Sequence, residues 1–188
     1  MDTQRTWIPA WLIAFLGFPP GGALALALIG KMETPLEGIL GGAAAGLVIG
    51  AAQTLALRRL WPQLNWRWAL ATAGGLAAGV GLGVAVFGAE TTLNATLMRA
   101  PIAGLAVGVA QWLVLRDVVR QAHWWIPALS VIYVVSWYIT ALVIGDSLNE
   151  GFVIFGASGA IVHQAITGVL LWLMLRETAR AKSQTSAS

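Results

Sequence analysis

His163 and its neighbour Gln164 are the residues best suited to chemistry within the apolar stretches of this chain. An imidazole in a membrane helix can ligate a metal ion, relay protons or hydrogen-bond a neighbouring helix. The predicted hydrocarbon region holds no second histidine, cysteine or carboxylate, so a metal site with several protein ligands is not expected. Axial ligation of a tetrapyrrole needs only one imidazole, which makes His163 and Gln164 candidate cofactor-binding residues. The structural alternative is a buried histidine that hydrogen-bonds a neighbour.

Gln53 and Gln111 form a second polar pair within the apolar stretches. Each lies five residues before an arginine, Arg58 or Arg116, which corresponds to about 7.5 Å along an α-helix. An amide at that depth needs a partner, and a hydrogen bond between membrane helices contributes about 0.6 kcal/mol on average. Two interpretations stay open. The glutamines either cross-link helices near one face of the membrane or form a polar site on the axis of a bundle.

Catalysis is not predicted from the other polar residues. The segment Gly156–Gly159 resembles the G-x-S-G motif of rhomboid intramembrane proteases, whose base histidine comes from a later helix. Here His163 follows Ser158 by five residues on one helix, which places the two side chains about 140° apart around the helix axis. A nucleophile and its base cannot meet in that geometry. The sequence also offers no paired intramembrane carboxylates and no phosphate-binding loop.

The composition places these residues in a membrane protein. Of the 188 residues, 58% are hydrophobic and 10% are charged, whereas a soluble domain carries about 25% charged residues. The 22 glycines fit the same class, because glycine lets membrane helices approach closely. The net charge of +3 comes from basic residues at helix ends, so no nucleic-acid partner is expected. The lack of cysteine excludes disulfides and thiolate metal sites.

Six apolar stretches are long enough to cross a hydrocarbon core of about 30 Å, which takes about 20 helical residues. They are Trp7–Ile29, Ile39–Leu57, Trp68–Ala89, Met98–Leu115, Trp124–Gly145 and Phe152–Leu175. The sequence therefore predicts an all-α integral membrane protein in contact with the lipid bilayer. One membrane domain covers residues 1–178, and a mobile cytoplasmic tail covers residues 179–188.

Charged residues divide the predicted helix ends into two groups. One group, the basic end, carries nine basic residues: Arg5, Arg58, Arg59, Arg67, Arg116, Arg120, Arg176, Arg180 and Lys182. The other, the acidic end, carries two basic and five acidic residues: Lys31, Arg99, Glu33, Glu37, Glu90, Asp146 and Glu150. Loops rich in lysine and arginine stay in the cytoplasm. Both termini are therefore predicted to be cytoplasmic, in a bacterial inner membrane or an internal membrane.

Tryptophan supports the same orientation. Most of the 10 tryptophans fall at or near the basic end, where an indole is expected to lie at the headgroup boundary. By this interpretation Trp11, Trp68 and Trp125 are interfacial, and Trp137 alone is deeply embedded. Arg99 is expected to anchor the opposite boundary, where it can extend outward or pair with Glu90.

An internal repeat with a period of about 59 residues runs through the chain. Two copies end in Gly50–Arg58 and Gly108–Arg116, which share the pattern G-x-x-Q-x-L-x-L-R. A looser third copy, Gly168–Arg176, has Leu171 in place of the glutamine. Each unit holds two spans, so three parallel helical hairpins are predicted, either around a pseudo-threefold axis or in a linear array. The units cover residues 5–60, 62–118 and 120–178.

The segment Gly108–Arg116, followed by Trp124 and Trp125, resembles a group of bacterial multi-pass membrane proteins of unknown function. These proteins carry repeated G-x-x-Q-W-L-x-L-R segments, each followed by a helix that begins with paired aromatic residues. In this chain the first copy has Thr54 where tryptophan is usual, and the third copy lacks the glutamine. The resemblance implies no activity and transfers no catalytic residues.

Glycine and proline predict how the helices pack. Glycines recur every four residues along the second span, and similar spacings occur in the third and fourth, which indicates close helix contacts. Pro19 and Pro20 fall in the middle of the first span and predict a kink or a break there. Broken helices line substrate sites in many transporters. A plain kink that fits the bundle is the alternative.

Two functions fit these features. The first is a binding or assembly subunit that holds a lipid or another hydrophobic ligand, or joins other membrane subunits. The glycine faces and the scarcity of buried ionisable groups favour it. The alternative is a small transporter or channel for a neutral solute, favoured by the repeats and the broken first span. No acidic or basic residue is predicted mid-membrane, where a coupling ion usually needs one.

Overall fold

A computed structural model describes residues 3–58, 65–145 and 156–185 of the chain. These ranges are helical and contain no strand. The helices are α1 Thr3–Ile13, α2 Phe18–Ile29, α3 Pro35–Leu57, α4 Asn65–Phe87, α5 Leu93–Leu115, α6 Trp125–Ile144 and α7 Ala157–Thr185. Two short 3-10 turns, Ala14–Gly17 and Ala122–Trp124, precede α2 and α6.

Six helical segments in the described ranges are long and apolar enough to cross a membrane, which confirms the predicted number of apolar helices and their all-α character. The first consists of α1 and α2 together, and α3 to α7 supply the other five. The outer surface carries large apolar side chains. Leu28, Leu142 and Val143, for example, are 65%, 65% and 67% exposed. Such a surface is suited to lipid contact.

Helices α3 and α5 begin four and five residues before the predicted starts, because a threonine caps each first turn. At α3, Thr34 Oγ1 accepts a hydrogen bond from the Glu37 backbone N–H at 3.3 Å, and Glu37 Oε2 accepts one from the Thr34 N–H at 2.8 Å. This reciprocal pair satisfies N–H groups that a helix start otherwise leaves without partners. Thr92 caps α5 with its hydroxyl alone.

The last helix differs from the predicted sixth span at its far end. Its predicted start at Phe152 lies outside the described residues. At the other end α7 continues to Thr185, so residues 179–185 of the predicted tail are helical.

The first span contains a 3-10 turn just before its two prolines. Helix α1 ends at Ile13, the turn Ala14–Gly17 follows, and Pro19 and Pro20 lie in the first turn of α2. Proline is tolerated in a first turn because its missing N–H would have no helical acceptor there. The backbone stays right-handed helical through the turn, so the span is continuous. Phe18, the first residue of α2, is 1% exposed.

Helices that follow one another in sequence pack together, and the last helix returns to the first. Contacts run from α2 to α3 and then through each neighbouring pair to α6 and α7. Helix α7 in turn contacts α1, the turn Ala14–Gly17 and α2. The series of six spans is therefore closed by contacts between its two ends.

Glycine creates the closest contacts between these helices. A Cβ atom at Gly46 of α3 would lie 2.6 Å from Ala73 Cα of α4, and one at Gly75 would lie 2.6 Å from Val107 Cα of α5. Real Cβ atoms do not approach another atom so closely. The backbones of α3, α4 and α5 therefore touch at positions that only glycine permits, as the glycine spacing predicts.

Candidate functional site

Three tryptophans near the basic end are buried within the bundle. Trp11, Trp68 and Trp125 are at most 1% exposed. The rings of Trp11 and Trp68 meet edge to face with centroids 6.1 Å apart, and those of Trp68 and Trp125 do the same at 6.1 Å. Their indoles therefore face the interior of the bundle and not the lipid headgroups, in contrast to what is expected of interfacial tryptophans. An indole near a helix end can also satisfy its N–H inside the protein.

Gln53 and Gln111 accept hydrogen bonds from two of these indoles. Trp68 Nε1 donates to Gln53 Oε1 at 3.0 Å, and Trp125 Nε1 donates to Gln111 Oε1 at 2.9 Å. Both glutamines are almost fully buried, with 2% and 3% of their surface exposed. Each bond joins the last turns of one span to the first turns of the next.

The amide N–H groups of the same glutamines bind other helices. Gln53 Nε2 donates to Gln164 Oε1 of α7 at 2.8 Å. Gln111 Nε2 donates to Thr72 Oγ1 of α4 at 2.9 Å, and Thr72 in turn donates to the Trp68 carbonyl at 2.9 Å. Both ends of each amide are thus used within the protein, which favours the cross-linking interpretation over an open polar site.

Trp11 both donates hydrogen bonds to α7 and accepts one from it. Its Nε1 donates to the Gln164 carbonyl at 3.1 Å and to Thr167 Oγ1 at 3.3 Å, while Gln164 Nε2 donates to the Trp11 carbonyl at 2.7 Å. These bonds complete a set that reaches all six spans and is called the Trp–Gln network below. It comprises Trp11, Gln53, Trp68, Thr72, Gln111, Trp125, Gln164 and Thr167.

The backbone carbonyl of His163 accepts a hydrogen bond from Thr167 of this network at 2.6 Å, but its imidazole packs among aromatic rings. His163 is 4% exposed. Its ring centroid lies 5.5 Å from that of Phe18 and 5.3 Å from that of Tyr133, which it meets edge to face. A tetrapyrrole could face this imidazole only if one of the two rings moved. The two candidate cofactor residues therefore have different surroundings, since Gln164 belongs to the network and His163 packs among aromatic side chains.

Ser158 and His163 do not form a nucleophile and base pair. The Ser158 hydroxyl is buried and makes no hydrogen bond within the described residues. Within the same residues, no group of three or more histidine, cysteine, aspartate or glutamate side chains could hold a metal ion.

A cavity of about 260 Å³ lies at the acidic end, between the α2–α3 connection and helices α4, α5 and α6. It is called the acidic-end cavity below. Its apolar lining comes chiefly from Val80, Val84, Ala100, Ala103 and Trp137. Trp137 lies seven residues before the end of α6, so the cavity reaches about 10 Å into the span.

Four charged residues line the same cavity: Lys31, Glu33, Glu90 and Arg99. Arg99 Nη1 donates to the Gly88 carbonyl at 3.0 Å, and Nη2 donates to the Glu90 carbonyl. The aliphatic part of Arg99 lies over Gly83, where a Cβ atom would be 3.3 Å from Arg99 Cγ. Arg99 thus holds the α4–α5 connection through backbone oxygens rather than through the Glu90 carboxylate.

Thr96 adds a hydroxyl to the cavity wall. It lies one helical turn from Arg99 on α5 and is 7% exposed. Among the described residues, none forms a hydrogen bond with its side chain. A hydroxyl group in this position is available to a bound molecule.

Comparison of the chain with protein-family models, with curated proteins and with solved structures gives no match.

The two glutamines can be identified as candidates from the sequence, but their indole partners and the cavity were not predicted. One signal for the partners was present, because Trp11, Trp68 and Trp125 recur every 57 residues and Gln53 and Gln111 lie 58 apart. Interfacial tryptophans need no such regularity, whereas tryptophans that bond repeated glutamines do. The cavity had no comparable signal, since its lining comes from four separate segments of the chain.

Proposed function

We propose that this chain is a membrane protein that binds a small ligand with an apolar part in the acidic-end cavity. The observation that carries the proposal is the cavity itself, with about 260 Å³ of space. A cavity of about 150 Å³ holds benzene, so this one has room for about ten non-hydrogen atoms. An apolar lining with a few polar groups is typical of ligand sites.

Packing at the basic end favours binding over passage. The Trp–Gln network lies between the cavity and the basic end. Its side chains Trp68, Trp125 and Gln53 are at most 2% exposed. A solute that moved through the bundle would have to separate these side chains and break their hydrogen bonds, whereas a ligand in the cavity leaves them in place.

We further propose that the six spans form three parallel hairpins around a pseudo-threefold axis. The bonds from Trp68 to Gln53 and from Trp125 to Gln111 support this, because they join corresponding positions of successive units. The contact of α7 with α1 supports a ring over a linear array. In the third unit, where Leu171 replaces the glutamine, the Gln164 carbonyl accepts the indole N–H instead.

The first test of the binding function is native mass spectrometry of the protein, extracted gently from its own membrane, with an absorption spectrum of the same sample. We expect a retained ligand or a stoichiometric membrane partner. A bare monomer or homo-oligomer without ligand would contradict the proposal.

The location of the ligand is tested by Val84→Trp, which fills the cavity from α4. Val84 is 6% exposed and lines the cavity, whereas Val86 on the same helix is 63% exposed to lipid. We expect Val84→Trp to lose the ligand and Val86→Trp to keep it, with both variants retaining their helical circular dichroism. Thr96→Phe should narrow the same cavity from α5. Ligand retention by both cavity variants would exclude the cavity as the site.

A small transporter for a neutral solute is the second candidate. It is favoured by the 3-10 turn in the first span, next to which Phe18 packs on His163 within the bundle. Broken helices line solute sites in many transporters. Flux of a broad panel of neutral solutes into liposomes separates the two functions, because binding alone leaves flux at the level of protein-free liposomes.

A further inference from the structure

We infer that the ligand of the acidic-end cavity is a zwitterion: a molecule or headgroup that carries one ammonium and one anionic group, with a compact apolar part. This inference rests on the proposed binding function. The charges at the cavity, the Thr96 hydroxyl and the size of the apolar space support it.

Among the residues that the structure describes, the charged side chains that line the cavity are balanced in sign and are not paired with one another. Lys31 and Arg99 are cationic, Glu33 and Glu90 are anionic, and all four line the cavity. In the part of the chain that the structure describes, none of them forms an ion pair within 4.0 Å. Arg99 instead binds two backbone carbonyls, and a guanidinium has five N–H donors. Donors therefore remain for an anionic group.

A zwitterion is the ligand class that can use both signs of charge. Entry of any ligand removes water from the charged groups it covers, and a desolvated charge is unfavourable unless it finds a partner. Lys31, Glu33 and Glu90 are exposed where they line the cavity, and a ligand with one charge would bind either the two cations or the two carboxylates. An ammonium near Glu33 and Glu90, with an anion near Lys31 and Arg99, satisfies both pairs through charge-assisted hydrogen bonds.

The Thr96 hydroxyl is an independent observation. It is 7% exposed, lines the cavity and has no hydrogen-bond partner within the described ranges. The hydroxyl oxygen is not a buried orphan, because it opens onto the cavity. Residues three apart share a helix face, so Thr96 and Arg99 present a hydroxyl and a guanidinium to the same cavity.

The apolar part of the ligand is compact. The space of about 260 Å³ ends at Trp137, with Val80 and Ala103 beside it. About ten non-hydrogen atoms fit such a volume. Two sources supply this chemistry: a free zwitterion with a branched aliphatic group, or the headgroup of a zwitterionic phospholipid at the membrane surface.

The test uses the full chain in nanodiscs made of phosphatidylglycerol, a lipid without an ammonium group. Radiolabelled leucine is titrated, with 4-methylpentanoate and 3-methylbutylamine as competitors. These carry a closely similar apolar group and only the anion or only the cation. In a second arm, native mass spectrometry compares retention of phosphatidylethanolamine and phosphatidylglycerol from mixed nanodiscs. We expect a zwitterion to be preferred about tenfold or more over its singly charged analogue in at least one arm.

Variants of the two carboxylates test whether these side chains bind the ammonium group of the ligand. The double variant Glu33→Gln, Glu90→Gln should weaken binding of the zwitterion about tenfold or more while binding of its anion-only analogue does not fall. Glu177→Gln, an exposed change at the basic end, should alter neither. Equal binding of zwitterionic and singly charged probes in both arms would overturn the inference.

Val84→Trp separates this failure from failure of the binding function. If Val84→Trp abolishes binding of all probes, and the unmodified protein binds zwitterionic and singly charged probes equally, the cavity is the site. Only the zwitterion inference is then wrong. If binding survives Val84→Trp, the cavity is not the site and both proposals fall.

Discussion

Each glutamine in the interior of this bundle has to place a carbonyl oxygen and an NH₂ group where water is absent. Gln53 does so by accepting from Trp68 and donating to Gln164, so one side chain joins three spans. Indole is a suitable partner because it supplies one donor on a large apolar ring. The network is therefore polar in its bonds and apolar in most of its surface.

Gln53→Leu tests this account. We expect a loss of about 1–3 kcal/mol of stability, because Trp68 Nε1 and Gln164 Oε1 both lose a buried partner. Thermal unfolding followed by circular dichroism in one detergent measures the change. Gln121→Leu is the control, since Gln121 is exposed and its side chain forms no hydrogen bond among the described residues. Equal midpoints for both variants would contradict the account.

A double-mutant cycle tests the second indole bond in isolation. Gln111→Leu and Trp125→Phe each remove one partner of the bond between Trp125 Nε1 and Gln111 Oε1. The double variant should lose about 0.5–2 kcal/mol less free energy of unfolding than the two single variants lose in sum. The reason is that either single change already breaks the bond, so the second change cannot break it again. Strict additivity would show that the bond contributes nothing measurable. The same unfolding assay applies.

The site residues that the sequence revealed are those defined by polarity alone. Gln53, Gln111 and Gln164 are conspicuous because amides are rare in apolar segments. Their partners were missed because hydropathy does not report how a helix is rotated about its axis. Trp68 at the end of a span looks interfacial by position, and only its orientation toward α3 makes it a buried donor.

At the scale of helices, small residues decide which faces meet. Gly46 and Gly75 lie where backbones touch, whereas a Cβ atom at Gly74 would have no atom within 4 Å. Two adjacent glycines, Gly74 and Gly75, thus have opposite surroundings. The glycine spacing predicted helix contact correctly, and the threonine caps of α3 and α5 explain the boundaries that the apolar pattern placed too late.

Gly46→Ala and Gly74→Ala form a matched pair on this basis. Gly46→Ala is expected to destabilise by about 1–3 kcal/mol, because its methyl group has to push α3 away from α4. Gly74→Ala is expected to be neutral or to stabilise by up to about 1 kcal/mol, through the better helix propensity of alanine. Their unfolding midpoints in one detergent provide the comparison, and a larger loss for Gly74→Ala would contradict it.

For the whole molecule, charge distinguishes the two ends and contacts close the series of spans. The described basic end holds an ion pair between Arg67 and Asp117 at 3.3 Å, with both side chains about half exposed. Exposed pairs of this kind contribute little to stability. The more useful consequence of the charges is orientation, which the basic residues predict from sequence and which the fold alone does not determine.

Cysteine labelling tests that orientation in intact cells. The chain has no native cysteine, so Asn94→Cys at the acidic end and Gln121→Cys at the basic end each provide one exposed thiol. A membrane-impermeant maleimide should label Asn94→Cys in intact cells and Gln121→Cys only after lysis, because arginine-rich loops stay in the cytoplasm. The reverse pattern would overturn the proposed cytoplasmic termini.

The bond between Trp11 and Gln164 also has a consequence for biosynthesis. It joins residues 153 positions apart, and the first span enters the bilayer long before the last has been made. Until α7 arrives, the Trp11 N–H and the Gln53 amide lack their final partners in a medium that offers no water to replace them. A chain truncated before α7 therefore leaves the Trp11 N–H and one end of the Gln53 amide without their buried partners.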